Sequence, residues 1–386
     1  MATPKLALIP TGYKAGKLYS VLPESGVGDF TVVRATEATR VNEAGLIETM
    51  GANVPRLDYS GGGCPVLLIE PQSTNLSTRS NELNLWGAKV GVAITANYSL
   101  SPNGSINSNR LLFSANGYCH NNNVQTIGTT YTISAYAKRN SGTENVGFFT
   151  NGSGAVNYSF NLTNEWQRFE YTYTSTNTST FGFAGVSGAD ISVYGFQLEV
   201  GSYATSYIKT EGSAVTRNGD QVYGAGYAAT FNDSEGVLMA EISALANDLT
   251  YRQISLTEAG GGGDVLTLDL SSVSNGVRTY LKVNGTPSIL NATLSNETDF
   301  NKIAVKYGNT HELWINGFEV SSQSLTLLPI TLNRLNFDNG VGGGNFYGNT
   351  SQVQYFNTAL TDSELEKLTS WASFIEMAQA QNYNII

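Results

Sequence analysis

Only two histidines occur in 386 residues, so the chemistry open to this chain narrows at once. His120 sits in GYCHNNN and His311 in NTHELW, and neither has a second His or Cys at ligand spacing. Cys119 directly precedes His120, but adjacent residues on a strand point to opposite faces and do not share a ligand. His311 stands just before a strand-like run and reads as a turn histidine. A serine hydrolase would offer a Gly-x-Ser-x-Gly elbow, and neither VSGAD nor NGSGA matches it. Glycoside hydrolysis needs two carboxylates about 5–10 Å apart across one cleft. No Glu-x-Asp-x-x-Glu strand occurs. Asp264 and Asp269 are odd-spaced and so face opposite sides, while Glu364 and Glu366 fall on a terminal helix. GGGGD (260–264) lacks a following Lys-Ser/Thr and is not a phosphate loop. It and GVGGGNFYGN (340–349) read as connectors between strands. The expectation is a protein that is not an enzyme and carries no cofactor.

The elements that would position any site are strands. Charged residues make up 13% of the chain, against about 25% in average proteins, and Gly, Ser, Thr, Asn and aromatics are abundant. That composition predicts an all-β fold. TYTISAYAKR, WQRFEYTYTST, GVLMAEISAL and HELWINGFEV alternate apolar and polar residues. Asn316-Gly317, between two such runs, is a hairpin signal. VPRLDY and PVLLIEP flank SGGGC as two strands around a Gly-rich turn. Turn signals recur about every ten residues, as a β-sandwich requires. SAVTRNGDQVYGAG (213–226) reads as a boundary. Thr361 and Glu364 form a capping box that opens a short C-terminal helix with a longer amphipathic extension. The expected order is an N-terminal attachment or connector region (1–73) and two β-sandwich (jelly-roll) domains (74–215 and 216–386), the second ending in the helix.

The net charge of −10, with basic residues scattered singly, argues against nucleic-acid binding. No apolar run approaches the roughly 20 residues of a bilayer span, so neither a signal peptide nor membrane insertion is expected. The Asn-x-Ser/Thr sites at Asn97, Asn151 and Asn161 are therefore expected to be unmodified. Cys64 and Cys119 are expected as reduced, mostly buried thiols.

Three blocks carry a resemblance: TRVNEAGLIE (39–48), PRLDY (55–59) and LLIEPQSTNL (67–76). In this order they resemble a segment of tailed-bacteriophage virion proteins, especially head- and tail-fibre proteins. NELNLWGAKVGVAITANYS and YGFQLEVGSYATSYIKT resemble the entry and exit of a carbohydrate-binding-module-like sandwich. Residues 216–386, with HELWINGFEV and VQYFNTALTDSELEKLT, are similar to concanavalin-like (laminin-G-like) jelly rolls. The resemblance implies a virion structural protein, a head or tail fibre or capsid decoration, located in the particle. Its implied partners are other virion proteins through the N-terminal region, further copies of itself (a trimer favoured over a dimer) and host-surface polysaccharide. The alternative is a free carbohydrate-binding protein or a glycan-degrading enzyme. Deletion of residues 1–60 is expected to leave two folded sandwiches and to abolish incorporation into particles.

Such sandwiches vary in their ligand residues, so candidates come from chemistry. Sugar faces stack on rings. Trp314 alternates with Leu313 and Ile315 and points away from the core, where it meets either a ligand or a covering loop or subunit. Phe346 and Tyr347 lie in the Gly-rich loop. Laminin-G-like domains can hold calcium through loop Asp and Asn, which singles out Asp338 and Asn339. Two residues do not make a metal site.

Overall fold

The computed structural model describes residues 2–121, 125–142, 145–178, 180–258, 260, 263–326, 329–373 and 375–376. As expected, nearly all regular structure among these residues is β, with one short α-helix towards the C-terminus. The chain forms two compact units rather than three regions: Met1–Ala35, Gly51–Pro71 and Gly219–Ile386 make one, and Thr36–Met50 with Gln72–Asn218 make the other. The expected connector, residues 1–73, is thus not an element of its own. Its apolar residues enter the core of the larger unit, while its segment Thr36–Met50 belongs to the smaller one. The crossing after Asn218 falls inside the boundary stretch expected at 213–226.

In the larger unit, an eight-stranded antiparallel sheet runs in the order Phe318–Ser324, Thr310–Ile315, Asn301–Tyr307, Gly236–Ala244, Gly348–Phe356, Val66–Ile69, Leu57–Asp58. Its eighth strand, Leu6–Leu8, also pairs with Gly348–Phe356. A five-stranded sheet runs Thr286–Thr293, Gly276–Val283, Val265–Leu270, Arg252–Thr257, Arg334–Asn336. Period-2 alternation decides which side chains enter the core. From Gly236–Ala244 these are Leu238, Ala240, Ile242 and Ala244; from Val265–Leu270 they are Leu266, Leu268 and Leu270. Leu6, Leu8, Leu18, Phe30, Val32 and Leu57 belong to the same core, although all come from the expected connector. Leu57–Asp58 and Val66–Ile69 pair around SGGGC, as the sequence predicts. Asn316 and Gly317, at φ 49° and 94°, make the hairpin turn between Ile315 and Phe318.

The helix Asp362–Thr369 starts at the expected capping box, where the Thr361 N–H donates to Glu364 at 3.1 Å. Leu365 and Leu368 close over the outer face of the eight-stranded sheet, against Val237, Met239, Ala304, Trp314 and Phe356. Of the amphipathic extension expected beyond the helix, residue 374 and residues 377–386 lie outside the described residues.

The blocks that carry the resemblance supply Arg56 and Glu70 to a cluster of buried charges. Arg34, Arg56, Glu70 and Asp220 are each 3% exposed or less. Asp220 accepts from Arg34 at 2.7 Å, from Arg56, and from the Glu70 N–H at 2.9 Å. Arg56 also pairs with Glu70, and Arg34 donates to the Gly51 carbonyl at 2.8 Å. Arg34, Gly51, Glu70 and Asp220 each lie within two residues of a point where the chain leaves or re-enters this unit. The network therefore fastens all four crossing segments within it.

The smaller unit is built on a second eight-stranded antiparallel sheet. Its long strand Asn109–Asn121 pairs first with Asp190–Val200 and then, through Gly117–Asn121, with Phe181–Gly185. The core is aromatic. Phe160 stacks on Phe169 at 4.4 Å and meets Phe148 edge-on at 4.7 Å, and Trp86 packs against Phe183 and Phe196. The TRVN block forms a hairpin here, Ala38–Val41 with Ile47–Met50. Thr39 donates to the Tyr207 carbonyl at 2.7 Å, and the Ile47 N–H donates to the Pro102 carbonyl at 2.9 Å.

His311 is not a turn residue. It is buried between the sheets of the larger unit, in contact with Ser288 Oγ at 2.6 Å and Thr279 Oγ1 at 3.1 Å. Burial pushes the imidazole down to about 4. The folded value lies below the unfolded one, near 6.5, so the unfolded chain binds the extra proton between them. Stability is then full above about pH 6.5 and falls as pH drops toward 4, by about 3 kcal/mol from this group. Urea unfolding across that window should show a shallower pH slope for His311→Gln than for the wild type. Equal slopes would refute a neutral buried His311.

Candidate functional site

Strand alternation divides the outer face of the eight-stranded sheet into two parts. Along Gly236–Ala244 the outward residues are Val237, Met239, Glu241 and Ser243. The first two lie under the helix, and the last two line a cleft of about 350 Å³. Across from Glu241 and Ser243, the strand Gly348–Phe356 contributes Asn349 and Ser351 to the cleft. Gln352 donates to Glu241 at 2.7 Å, and Asn349 donates to Ser243 Oγ at 3.3 Å. One wall is the turn between Leu57–Asp58 and Val66–Ile69, with Asp58, Ser60, Gly61, Gly62 and Cys64. Gly62 and Gly63 hold φ of 73° and 70°, a conformation that favours glycine, and a Cβ there would meet only open space. The other wall is Thr298, Asp299 and Phe300, just before the strand Asn301–Tyr307.

The cleft is rich in acceptors: three carboxylates (Asp58, Glu241, Asp299), the Asn349 amide and several hydroxyls. Phe300 adds an apolar ring, and no Lys or Arg is among the lining residues. The volume lies within the range of small-ligand sites, roughly 300–1,000 Å³. Among the described residues no three His, Cys, Asp or Glu side chains converge as a metal site. Two paired strands hold Glu241, Ser243, Asn349 and Ser351, an arrangement that suits a ligand with many hydroxyl donors.

The expected ligand residues lie elsewhere. Trp314 does point away from the core, but the helix covers it. It is 6% exposed, and its indole N–H donates to Glu312 at 3.1 Å. Of the two readings left open for it, packing beneath another element is the one observed. Phe346 is 0% exposed, within the core. Tyr347 is half-buried and packs against the same core. None of the three is placed in the cleft. Asp338 accepts from the Gly340 N–H at 2.5 Å, and Asn339 accepts from Val341 and Gly343 at 3.1 and 2.9 Å. One oxygen of each side chain holds a turn of the Gly-rich loop. Burial raises the Asp338 carboxyl. Cys119 is buried, and burial pushes its thiol up to about 12, whereas Cys64 is exposed at the cleft, contrary to expectation.

Sequence reasoning missed the cleft. The alternation of GVLMAEISAL puts Glu241 on the outer face, but nothing local shows that Asp58, Asp299 and Asn349 meet it there.

Fold and site together define an all-β chain with a polar, acceptor-lined cleft on a sheet face. No protein-family model matches the sequence, and no curated protein matches it. Among solved structures, the chain is similar to the CBM40 domain of the Ruminococcus gnavus IT-sialidase bound to α2,3-sialyllactose, at 16% identity and a TM-score of 0.32, over 38% of this chain and 94% of that one. The leech intramolecular trans-sialidase matches at 16% and 0.32, over 39% of this chain and 27% of that one. The binding domain of botulinum neurotoxin DC, in complex with rat synaptotagmin II, matches at 13% and 0.31, over 39% and 40%. Identities this low bear on fold alone, and scores near 0.3 bear no functional weight.

Proposed function

We propose that the protein is a non-catalytic, glycan-binding structural component of a tailed-phage particle, and that its sugar binds in the cleft formed by Asp58, Glu241, Asp299, Phe300 and Asn349. The observation that carries the binding reading is the cleft itself. It combines Glu241 and Asn349, fixed on two paired strands, with Asp58, Asp299 and one ring in its walls, and sugar hydroxyls donate while sugar C–H faces stack. The virion setting rests on the three N-terminal blocks. Two of them, PRLDY and LLIEPQSTNL, supply the strands that carry the cleft's glycine turn.

Calorimetry with hits from a glycan array tests the binding reading. The double variant Glu241→Gln, Asn349→Ala should weaken binding at least tenfold, about 1.4 kcal/mol, while the fold is retained. Undiminished binding would remove the cleft from consideration. Release of reducing sugar from any bound polysaccharide would overturn the non-catalytic reading in favour of a glycan-degrading enzyme. Antibody labelling of purified particles tests the setting. Absence from particles would favour a free carbohydrate-binding protein.

A further inference from the structure

We propose that the outer face of the five-stranded sheet is a second, separate binding surface, which takes an acidic sugar on Arg278. The strands of this sheet turn Leu266, Leu268, Leu281 and their neighbours inward. By alternation Arg278, Tyr280 and Lys282 face outward, with Asp269 and Thr267 beside them and Arg334 at the far edge. In a chain of net charge −10, this strand face carries three cations and one carboxylate.

That carboxylate holds Arg278 in place. Asp269 is fully buried; it accepts from Arg278 Nε at 2.8 Å and Nη2 at 2.6 Å, and from Gln253 at 3.0 Å. The rings of Tyr251 and Tyr280 lie 4.8 and 5.5 Å from the guanidinium carbon. One edge of the guanidinium is therefore consumed, and its plane is set by two rings. Nη1 has no hydrogen-bond partner among the described residues, and the side chain is 24% exposed. Two N–H groups on Nη1 and one on Nη2 remain, the end-on fork that binds a carboxylate or sulfate. A side chain already ordered loses little entropy on binding. Tyr251 is 39% exposed and offers ring surface. Exposed Asn291, directly across from Arg278, offers an amide. An anion flanked by ring and amide on a solvent-facing sheet describes a sugar that bears a carboxylate or sulfate. The cleft on the other sheet, lined by carboxylates and no cation, would repel the same ligand.

The test uses the full chain and three probes: a galacturonate tetramer, a sulfated galactotetraose and neutral galactotetraose. Calorimetry should show binding of one or both acidic probes, weakening as salt rises, with the tighter of the two identifying the anion. The neutral probe should bind at least tenfold more weakly at this face. Tyr251→Leu, at an exposed position, should reduce acidic binding about tenfold, as should Arg278→Lys, which keeps the charge but loses the fork. The cleft variant Glu241→Gln, Asn349→Ala should leave acidic binding unchanged, so this inference and the cleft reading fail separately. Lack of binding by both acidic probes, full binding by Tyr251→Leu, or loss of acidic binding in the cleft variant would each overturn the proposal.

Discussion

Deleting residues 1–60 is expected to unfold the larger unit instead of leaving two intact sandwiches. Leu6, Leu8, Leu18, Phe30, Val32 and Leu57 are each 2% exposed or less and share one core with Leu238, Leu266 and Val353. At about 1.5–3 kcal/mol per buried apolar side chain, their loss removes on the order of 10 kcal/mol. A typical domain has only about 5–15 kcal/mol in total. The deletion also strips Leu6–Leu8 and Leu57–Asp58 from the eight-stranded sheet and leaves Asp220 and Glu70 buried without Arg34 and Arg56. Hydrogen exchange on residues 61–386 should show Gly236–Ala244 and Gly348–Phe356 exchanging as in an unfolded chain. Native protection of these strands would refute the shared core. Failure of such a truncation to enter particles would then report misfolding as much as loss of an anchor.

Asp220→Ala should destabilise the larger unit by about 3–5 kcal/mol. Asp220 is the shared acceptor of Arg34, Arg56 and the Glu70 amide, all buried. Without it two buried guanidinium groups lose a counter-charge, and the desolvation cost of the orphaned donors is felt. Lys17→Ala, which breaks the part-exposed pair with Asp29, should change stability by no more than about 1 kcal/mol. Urea unfolding, followed by exchange in Val66–Ile69 and Gln221–Tyr223, separates the two cases. A shift no larger for Asp220→Ala than for Lys17→Ala would show that the network does not hold these segments together.

The sequence by itself determined the strands and their faces. Two-residue alternation reports locally which way a side chain points, so Leu313 and Ile315 against Trp314, and Leu238 against Glu241, were legible in single runs. So were the turns, because Asn316-Gly317 and SGGGC have few other uses, and the capping box at Thr361 and Glu364. What covers an outward face is not a local property, and only the tertiary structure decided it. Trp314 points outward into a helix that begins some fifty residues later, while Phe346 sits in the core and Asp338 and Asn339 serve a turn. The three N-terminal blocks were legible as a pattern but not as a structure. Arg56 and Glu70 meet Asp220 across 164 and 150 residues of chain, and the cleft gathers Asp58, Glu241, Asp299 and Asn349 from four separate segments. Periodicity carries no information about such meetings. They follow from which strands pair and what then packs over them.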